Sequence, residues 1–504
     1  MTAEATEHFK IAIVGAGFGG LGMAIRLREQ GEEDFAVLER DVDVGGTWLQ
    51  NTYPGCQCDV PSHLYSFSFA QNPGWSRTFS PQPEIWDYLR RCADEAGVRP
   101  HLRTGCAVTD ASWDADAQRW RLETTLGPIS ADVLVAATGG LSEPSVPELP
   151  GLERFEGASF HSARWDHSHE LDGERVAVIG TGASAIQFVP RIQPMVDRMH
   201  VFQRTAPWIM PHTDRPITPL ERRFFARFPV LQRLLREAIY WARESFVLGF
   251  VVNRRLMRMP ERIARAHLHR QVADPELRAK LTPDYEIGCK RILLSNDYLP
   301  SLAKPNVELV TDAIAEVRER SIVTADGTER EVDTIIFGTG FHVTDQPVAE
   351  HVRGRDGRSL AQVWADEHGG SAEAYRGTSV AGFPNLFLIT GPNTGLGHTS
   401  MTVMIEAQIE YVLDALGKIG RDGIAAVDVR PDVQAAENAA IQRRLRGTVW
   451  TAGGCESWYI DPNGRVTTVW PDFTFRFRNR LRRFDLGDYD AEPARERERE
   501  PVAA

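Results

Sequence analysis

Two glycine-rich turns close short apolar runs in this sequence. Gly15, Gly17 and Gly20 follow IAIV, while Gly180, Thr181, Gly182, Ser184 and Ala185 follow VAVI. A Gly-x-Gly-x-x-Gly/Ala turn between a strand and a helix lets backbone N–H groups approach a pyrophosphate at the positive end of the helix. In both copies a polar residue ends the next apolar run 24 residues after the first glycine: Glu39 in one, Arg204 in the other. An acid there accepts hydrogen bonds from ribose hydroxyls and suits FAD or NAD. An arginine pairs with a 2′-phosphate and suits NADP. One site for FAD and one for NADPH imply hydride transfer from nicotinamide to flavin.

The elements that must position these turns repeat as well. IAIVGAGFGG leads through LGMAIRLREQG to FAVLER, and VAVIGTGASA leads through IQFVPRIQ to MHVFQR, each reading as strand, helix, strand. Between the copies, ADVLVAATGG reads as a further strand, followed by the Pro-rich LSEPSVPELPG as a linker. A matching strand, EVDTIIFGTGF, marks the expected return to the first domain. The predicted fold is therefore α/β, with two Rossmann-like dinucleotide-binding domains, the second inserted in the first, plus a helical subdomain. The expected boundaries are 1–145 (FAD-binding, first part), 146–206 (NADP-binding, first part), 207–285 (helical subdomain), 286–332 (NADP-binding, second part), 333–487 (FAD-binding, second part) and a disordered tail at 488–504. The helical stretch carries Phe224, Phe225, Tyr240, Trp241, Phe246 and Phe250. Their expected role is helix packing, with pocket lining or a membrane surface as the alternative.

Composition narrows the partners. The chain has 504 residues and a net charge of -12, so as a whole it repels phosphate backbones and anionic lipid surfaces, and no nucleic-acid partner is expected. The six cysteines are scattered without zinc spacing, and no metal site is expected. They read as reduced thiols in a cytoplasmic protein. The polar MTAEATEHFK start has no signal-peptide character, and no apolar run is long enough for a transmembrane helix.

Three fates are open to electrons on a flavin. A disulfide reductase needs a redox-active cysteine pair, but Cys56 and Cys58 are separated by a single residue, an awkward spacing for a reversible disulfide. Reaction with oxygen remains, as an oxidase or an oxygenase. Before the second glycine turn stands FEGASFHSARWD, in which Phe155, Gly157, His161, Trp165 and Asp166 fit Phe-x-Gly-x-x-x-His-x-x-x-Trp-Asp. This resembles the fingerprint of the Baeyer-Villiger monooxygenases, FAD- and NADPH-dependent flavoproteins. Related flavin monooxygenases acting on N and S atoms place tyrosine at Trp165. A second family motif matches at Gly46, Trp48, Tyr53, Pro54, Gly55 and Asp59, and the resemblance runs from about residue 10 to residue 472.

The resemblance implies insertion of one oxygen beside a ketone carbonyl, giving an ester or lactone through a C4a-peroxyflavin, with sulfoxidation as a side activity. That chemistry calls for a fixed cation beside peroxide and oxyanion, which arginine supplies because it stays charged. The family's Lys-Arg pair matches Lys290 and Arg291 in YEIGCKRILLSNDYL. Arg291 is thus the expected catalytic residue, with Asp59 pairing to it and Lys290 joining Arg204 and Thr205 at the 2′-phosphate. Further contacts to FAD are implied for Thr47, Trp48, Gln50, Val60, Tyr65, Val108 and Met401. His161 reads as a linker histidine held by backbone at least as well as a proton-transfer group. His398, in a Gly-rich turn, reads as bonded to backbone, and Trp470 as packing. A non-turnover flavin/NADP redox sensor is the reading from another class. Neither the ketone nor the oligomeric state is legible.

Overall fold

The computed structural model describes residues 6–345 and 347–494. Two sheets carry the two glycine turns. In the first, strand Glu7–Val14 lies between Phe35–Leu38 and Ile129–Ala136, parallel to both, with Ile11 opposite Phe35 on one side and Val133 on the other. The full order runs Val352–Arg353, Val108–Asp114, Arg119–Thr124, Ile129–Ala136, Glu7–Val14, Phe35–Leu38, Leu102–Arg103, and Leu386–Leu388 also pairs with Ile129–Ala136. The central strands read as unbroken apolar runs because both of their faces are covered: Ile11, Ala12 and Ile13 are wholly buried. Helices Phe18–Glu29 and Met401–Asp422 pack together over this sheet.

The second sheet has five parallel strands in the order Val307–Val310, Arg198–Phe202, Arg175–Ile179, Thr334–Phe337, Ala158–His161. All of them fall in sequence between the parts of the first sheet. Thr334–Phe337 pairs with Arg175–Ile179 (Ile336 opposite Val178), so the boundary expected between 332 and 333 lies too early, and EVDTIIFGTGF does not return to the first sheet. Apolar strands that end in Gly-Thr-Gly or Thr-Gly-Gly look alike locally, and only their pairing partners separate them. The helices between 219 and 280 form a block outside both sheets.

Two more expectations are corrected. The tail does not begin at 488: Tyr489–Pro493 is a strand antiparallel to Ile424–Val429, and Tyr489 is buried with its hydroxyl on those of Ser379 and Tyr411. The rest of the expected tail, 495–504, lies outside the described residues. Nor are all cysteines thiols, because Cys289 and Cys455, 166 residues apart, form a disulfide. The other four are free and buried. No helix among the described residues is long and apolar enough to cross a membrane.

Candidate active site

Both glycine turns begin with a residue in the left-handed region, Gly15 at φ 97° and Gly180 at φ 107°. A Cβ there would also meet a backbone carbonyl, Ala137 O at 2.7 Å and Gly338 O at 2.4 Å respectively, so only glycine fits. The second glycines differ in purpose. A Cβ on Gly17 or Gly182 would come no nearer than 3.6 Å or 3.8 Å to any atom and would fill the space that a pyrophosphate needs. The helices that follow, Phe18–Glu29 and Ala185–Ile192, have no side-chain cap, and the start of each faces its glycine turn, where an anion suits the positive end of a helix.

Glu39 closes the first cradle. Its buried carboxylate accepts from the backbone N–H of Ala16 (2.6 Å) and of Asp41 (2.9 Å), and burial pushes its acidity toward the neutral form against those two bonds. The Thr47–Gln50 turn starts at Gly46, which abuts Gly17. From it Trp48 donates to the Tyr65 hydroxyl (3.0 Å), and Gln50 donates to Asp41 (2.7 Å) while its own amide oxygen stays buried and unpartnered. Tyr65 and Phe18 stack edge to face at 5.1 Å. Met401 begins its helix beside Thr402, whose hydroxyl donates to Leu64 O. Val60 is buried. Val108 stands farther off, two residues beyond Cys106, whose N–H donates to Glu39 O. These residues fit FAD: a cradle with room for phosphate, an acid for ribose, and a walled apolar floor.

The second cradle brings together Thr181, whose hydroxyl donates to Thr205 O (3.4 Å), with exposed Arg204 and half-buried Lys290. Burial holds the Lys290 ammonium below its ordinary value, and the Arg204 charge adds to the effect. Two neighbouring cations suit a 2′-phosphate dianion, so this set fits NADP.

Between the cradles, Arg291 meets Asp59. Nε and Nη2 of the guanidinium donate to the two carboxylate oxygens, each at 2.6 Å. Both side chains remain partly open, at 31% and 26% exposure. Burial pushes Asp59 up, but the charge and hydrogen bonds of Arg291, with Arg243 behind, hold it below the usual carboxylate range. Arg291 is held above its ordinary value chiefly by the Asp59 charge.

Three groups at this centre are not among the residues expected from the sequence. Arg243 donates to Asp59 O (3.0 Å) from helix Pro229–Glu244. Tyr459 is buried close to Arg291, whose charge opposes the upward push of burial on the phenol. The Cys289–Cys455 disulfide ties the chain just before Lys290 to the segment leading into Tyr459. The proximity of Cys289 to the Lys-Arg pair was the one legible hint. Cys56 and Cys58 are buried thiols, Cys56 pushed up to about 12 by burial, so neither is a ready thiolate.

The fingerprint residues build an edge rather than a reaction centre. Ala158–His161 is the edge strand of the second sheet, and a Cβ on Gly157 would strike Asp333 O at 2.1 Å and the Phe155 ring. His161 is buried, accepts from Ala163 N–H through Nδ1 (3.1 Å), and leaves Nε2 unpartnered. Burial lowers it to about 4, so it is neutral at ordinary pH. Trp165 packs on Phe188 at 5.4 Å, and Asp166 caps Ser168. Tyr53 packs on the same Phe188 at 6.0 Å, while its hydroxyl donates to Gln187 (3.1 Å), which also exchanges hydrogen bonds with the Gln57 backbone. Two motifs a hundred residues apart in sequence thus converge on one helix of the second cradle. His398 departs from expectation, because its Nε2 faces the buried Glu244 carboxylate at 3.3 Å rather than backbone. Trp470 is buried against Phe477 at 5.2 Å.

Comparison with known proteins decides between the monooxygenase classes. Residues 8–353 match the flavin-binding monooxygenase-like family. The chain is 54% identical over 484 residues, 96% of its length and 92% of the relative's, to a Baeyer-Villiger monooxygenase of Streptomyces coelicolor. The chain belongs to the Baeyer-Villiger monooxygenases. Its structure is similar to the closed crystal structure of cyclohexanone monooxygenase, with a TM-score of 0.86 at 28% identity, over 97% of this chain and all of the other. It is also similar to OTEMO in complex with FAD and NADP, with a TM-score of 0.87 at 25% identity, over 96% of this chain and all of the other.

Proposed function

We propose that this Baeyer-Villiger monooxygenase converts a ketone to an ester or lactone using NADPH and O2, with Arg291 as the catalytic residue. Bound FAD, reduced by NADPH, supplies the oxygen-activating chemistry. The observation that carries the reading is the bidentate Arg291–Asp59 pair, partly open between the two cradles.

Asp59 holds the guanidinium in one orientation, since two parallel N–H···O bonds fix both position and plane. The Arg291 donors not used by Asp59 would stabilise the negative oxygen that develops when a nucleophile adds to a ketone carbonyl. Arg243 keeps Asp59 ionised and in place from behind. Arg204 and Lys290 hold the 2′-phosphate and select NADPH over NADH. Glu39 holds the ribose of FAD. His161 acts as a structural group that ends the edge strand, since it is neutral and its Nδ1 is engaged by backbone.

The test is turnover. NADPH consumption that accelerates on adding a ketone, with ester formed mole for mole and little hydrogen peroxide, supports the reading. Consumption that ignores ketones and sends all electrons to hydrogen peroxide overturns it.

A further inference from the structure

Helix Pro229–Glu244 is folded inside out. Every fourth residue points inward, and these are polar: Gln232 donates to Asn72 O (2.8 Å), Arg236 donates to His63 O (3.0 Å) and Leu64 O (2.9 Å), the Tyr240 hydroxyl meets that of Thr474 (2.8 Å), and Glu244 accepts from the Thr474 hydroxyl (2.8 Å). The solvent side carries large apolar residues, Val230 64%, Leu234 59% and Trp241 55% exposed, beside Arg233 and Glu237. A helix on a water-soluble surface has the reverse arrangement.

The anomaly extends through its neighbours. Of the nineteen large exposed hydrophobic residues among those described, thirteen fall between 220 and 263. Leu220 (77%), Phe224 and Phe228 line one stripe of the preceding helix, Pro219–Arg227, and its end, with Phe224 and Phe228 in ring contact at 5.3 Å. Met259 (66%) continues the pattern onto helix Arg258–Gln271. Isolated exposed apolar residues are ordinary, but a concentration of this kind marks a surface that something covers.

Charge identifies the cover. Residues 219–271 hold twelve arginines and four glutamates, a local charge of +8 in a chain whose total is -12. Eight of those arginines are exposed and only one of the glutamates is, so the exposed apolar residues are interspersed along the chain with exposed basic ones. A second copy of the same face would bring like charges together. An anionic phospholipid surface accepts both components, with hydrocarbon for the apolar side chains and phosphate for the guanidinium groups. We infer that the outer face of residues 219–263 docks the protein on the surface of an anionic phospholipid bilayer without spanning it. The whole-molecule charge, which argues against lipid, is the wrong scale, because screening limits each contact to about 10 Å. This surface stands independently of the catalytic reading, though the same helix sends Arg243 inward to Asp59.

FAD-loaded protein is sedimented with vesicles of phosphatidylcholine alone, or of one part phosphatidylglycerol to two parts phosphatidylcholine. The parent protein sediments with the mixed vesicles at low salt and is released at high salt. Val230→Glu with Leu234→Glu abolishes binding while leaving FAD content and NADPH oxidation unchanged. Arg227→Ala with Arg233→Ala, which leaves the apolar face intact, weakens partitioning about twentyfold or more, at about fivefold per arginine. Failure of the parent to bind mixed vesicles overturns the inference, as does binding that neither pair of substitutions alters. A concentration-dependent dimer that Leu234→Glu dissolves, without lipid binding, overturns it in favour of a second copy on this face.

Discussion

Arg291 and Asp59, 232 residues apart in sequence, meet through two hydrogen bonds of 2.6 Å. The backbone carbonyl of Asp59 also accepts from Arg243, so one residue organises two arginines from different elements. Because Asp59 is held below the usual carboxylate range, the pair stays ionised at neutral and mildly acidic pH, and its contribution is lost only as pH falls through that lowered value.

Replacing Arg291 by alanine removes the proposed oxyanion donor but leaves both nucleotide cradles. Ketone oxidation is expected to fall by about 10²- to 10³-fold or more. Anaerobic flavin bleaching by NADPH is expected to continue near the parent rate in stopped flow. A comparable drop in both would place Arg291 in hydride transfer instead.

In the proposed arrangement Arg204 addresses only the 2′-phosphate. Arg204→Ala should raise KM for NADPH by about 10- to 100-fold, the range of a lost charge-assisted hydrogen bond, and leave KM for NADH unchanged. Equal effects on the two coenzymes would remove the assignment.

His161 is buried neutral at about 4 against an ordinary 6.5. Above pH 6.5 neither folded nor unfolded chain is protonated there. As pH falls toward 4, only the unfolded chain gains the proton, so stability is lost across that window. The expected loss from this one residue is up to about 3 kcal/mol. His161→Asn, which can still accept from Ala163 N–H, should flatten this part of the stability profile in urea titrations at several pH values. An unchanged slope would mean that His161 is not buried neutral.

The disulfide predicts a count. Denatured protein without reductant should show four reactive thiols, rising to six after reduction. Cys455→Ser should lower stability by about 2–4 kcal/mol, the typical effect of such a cross-link. It should also raise peroxide release during turnover, because the bond tethers the segment ahead of Lys290 and Arg291 to the one leading into Tyr459. Six reactive thiols before reduction would show that the bond does not form.

Much of the site was legible because it is local. A glycine turn, a strand-end acid or arginine, and a motif such as FEGASFHSARWD carry their meaning in consecutive residues, where the backbone must turn tightly or approach a phosphate. What was not legible depends on pairing. Thr334–Phe337 looks like the strand preceding Gly139 but pairs in the other sheet. Tyr489–Pro493 sits in a charged stretch and is ordered by Ile424–Val429. Gln187 has no motif of its own, yet it joins the Tyr53 segment to the helix that Trp165 packs on.

By itself the sequence determined the two glycine turns that suit FAD and NADP, the polar residue that ends the strand beyond each, and that Arg291 follows Lys290 in a recognisable segment. These depend on contacts within about thirty residues, and residue type and spacing encode them directly. The tertiary structure alone decided that Arg243 shares Asp59 with Arg291, that Tyr459 comes near Arg291, that Cys289 pairs with Cys455, and that one helix turns polar residues inward. Those outcomes depend on which distant surfaces meet, and the burial of a side chain is a property of the whole chain rather than of its neighbours in sequence.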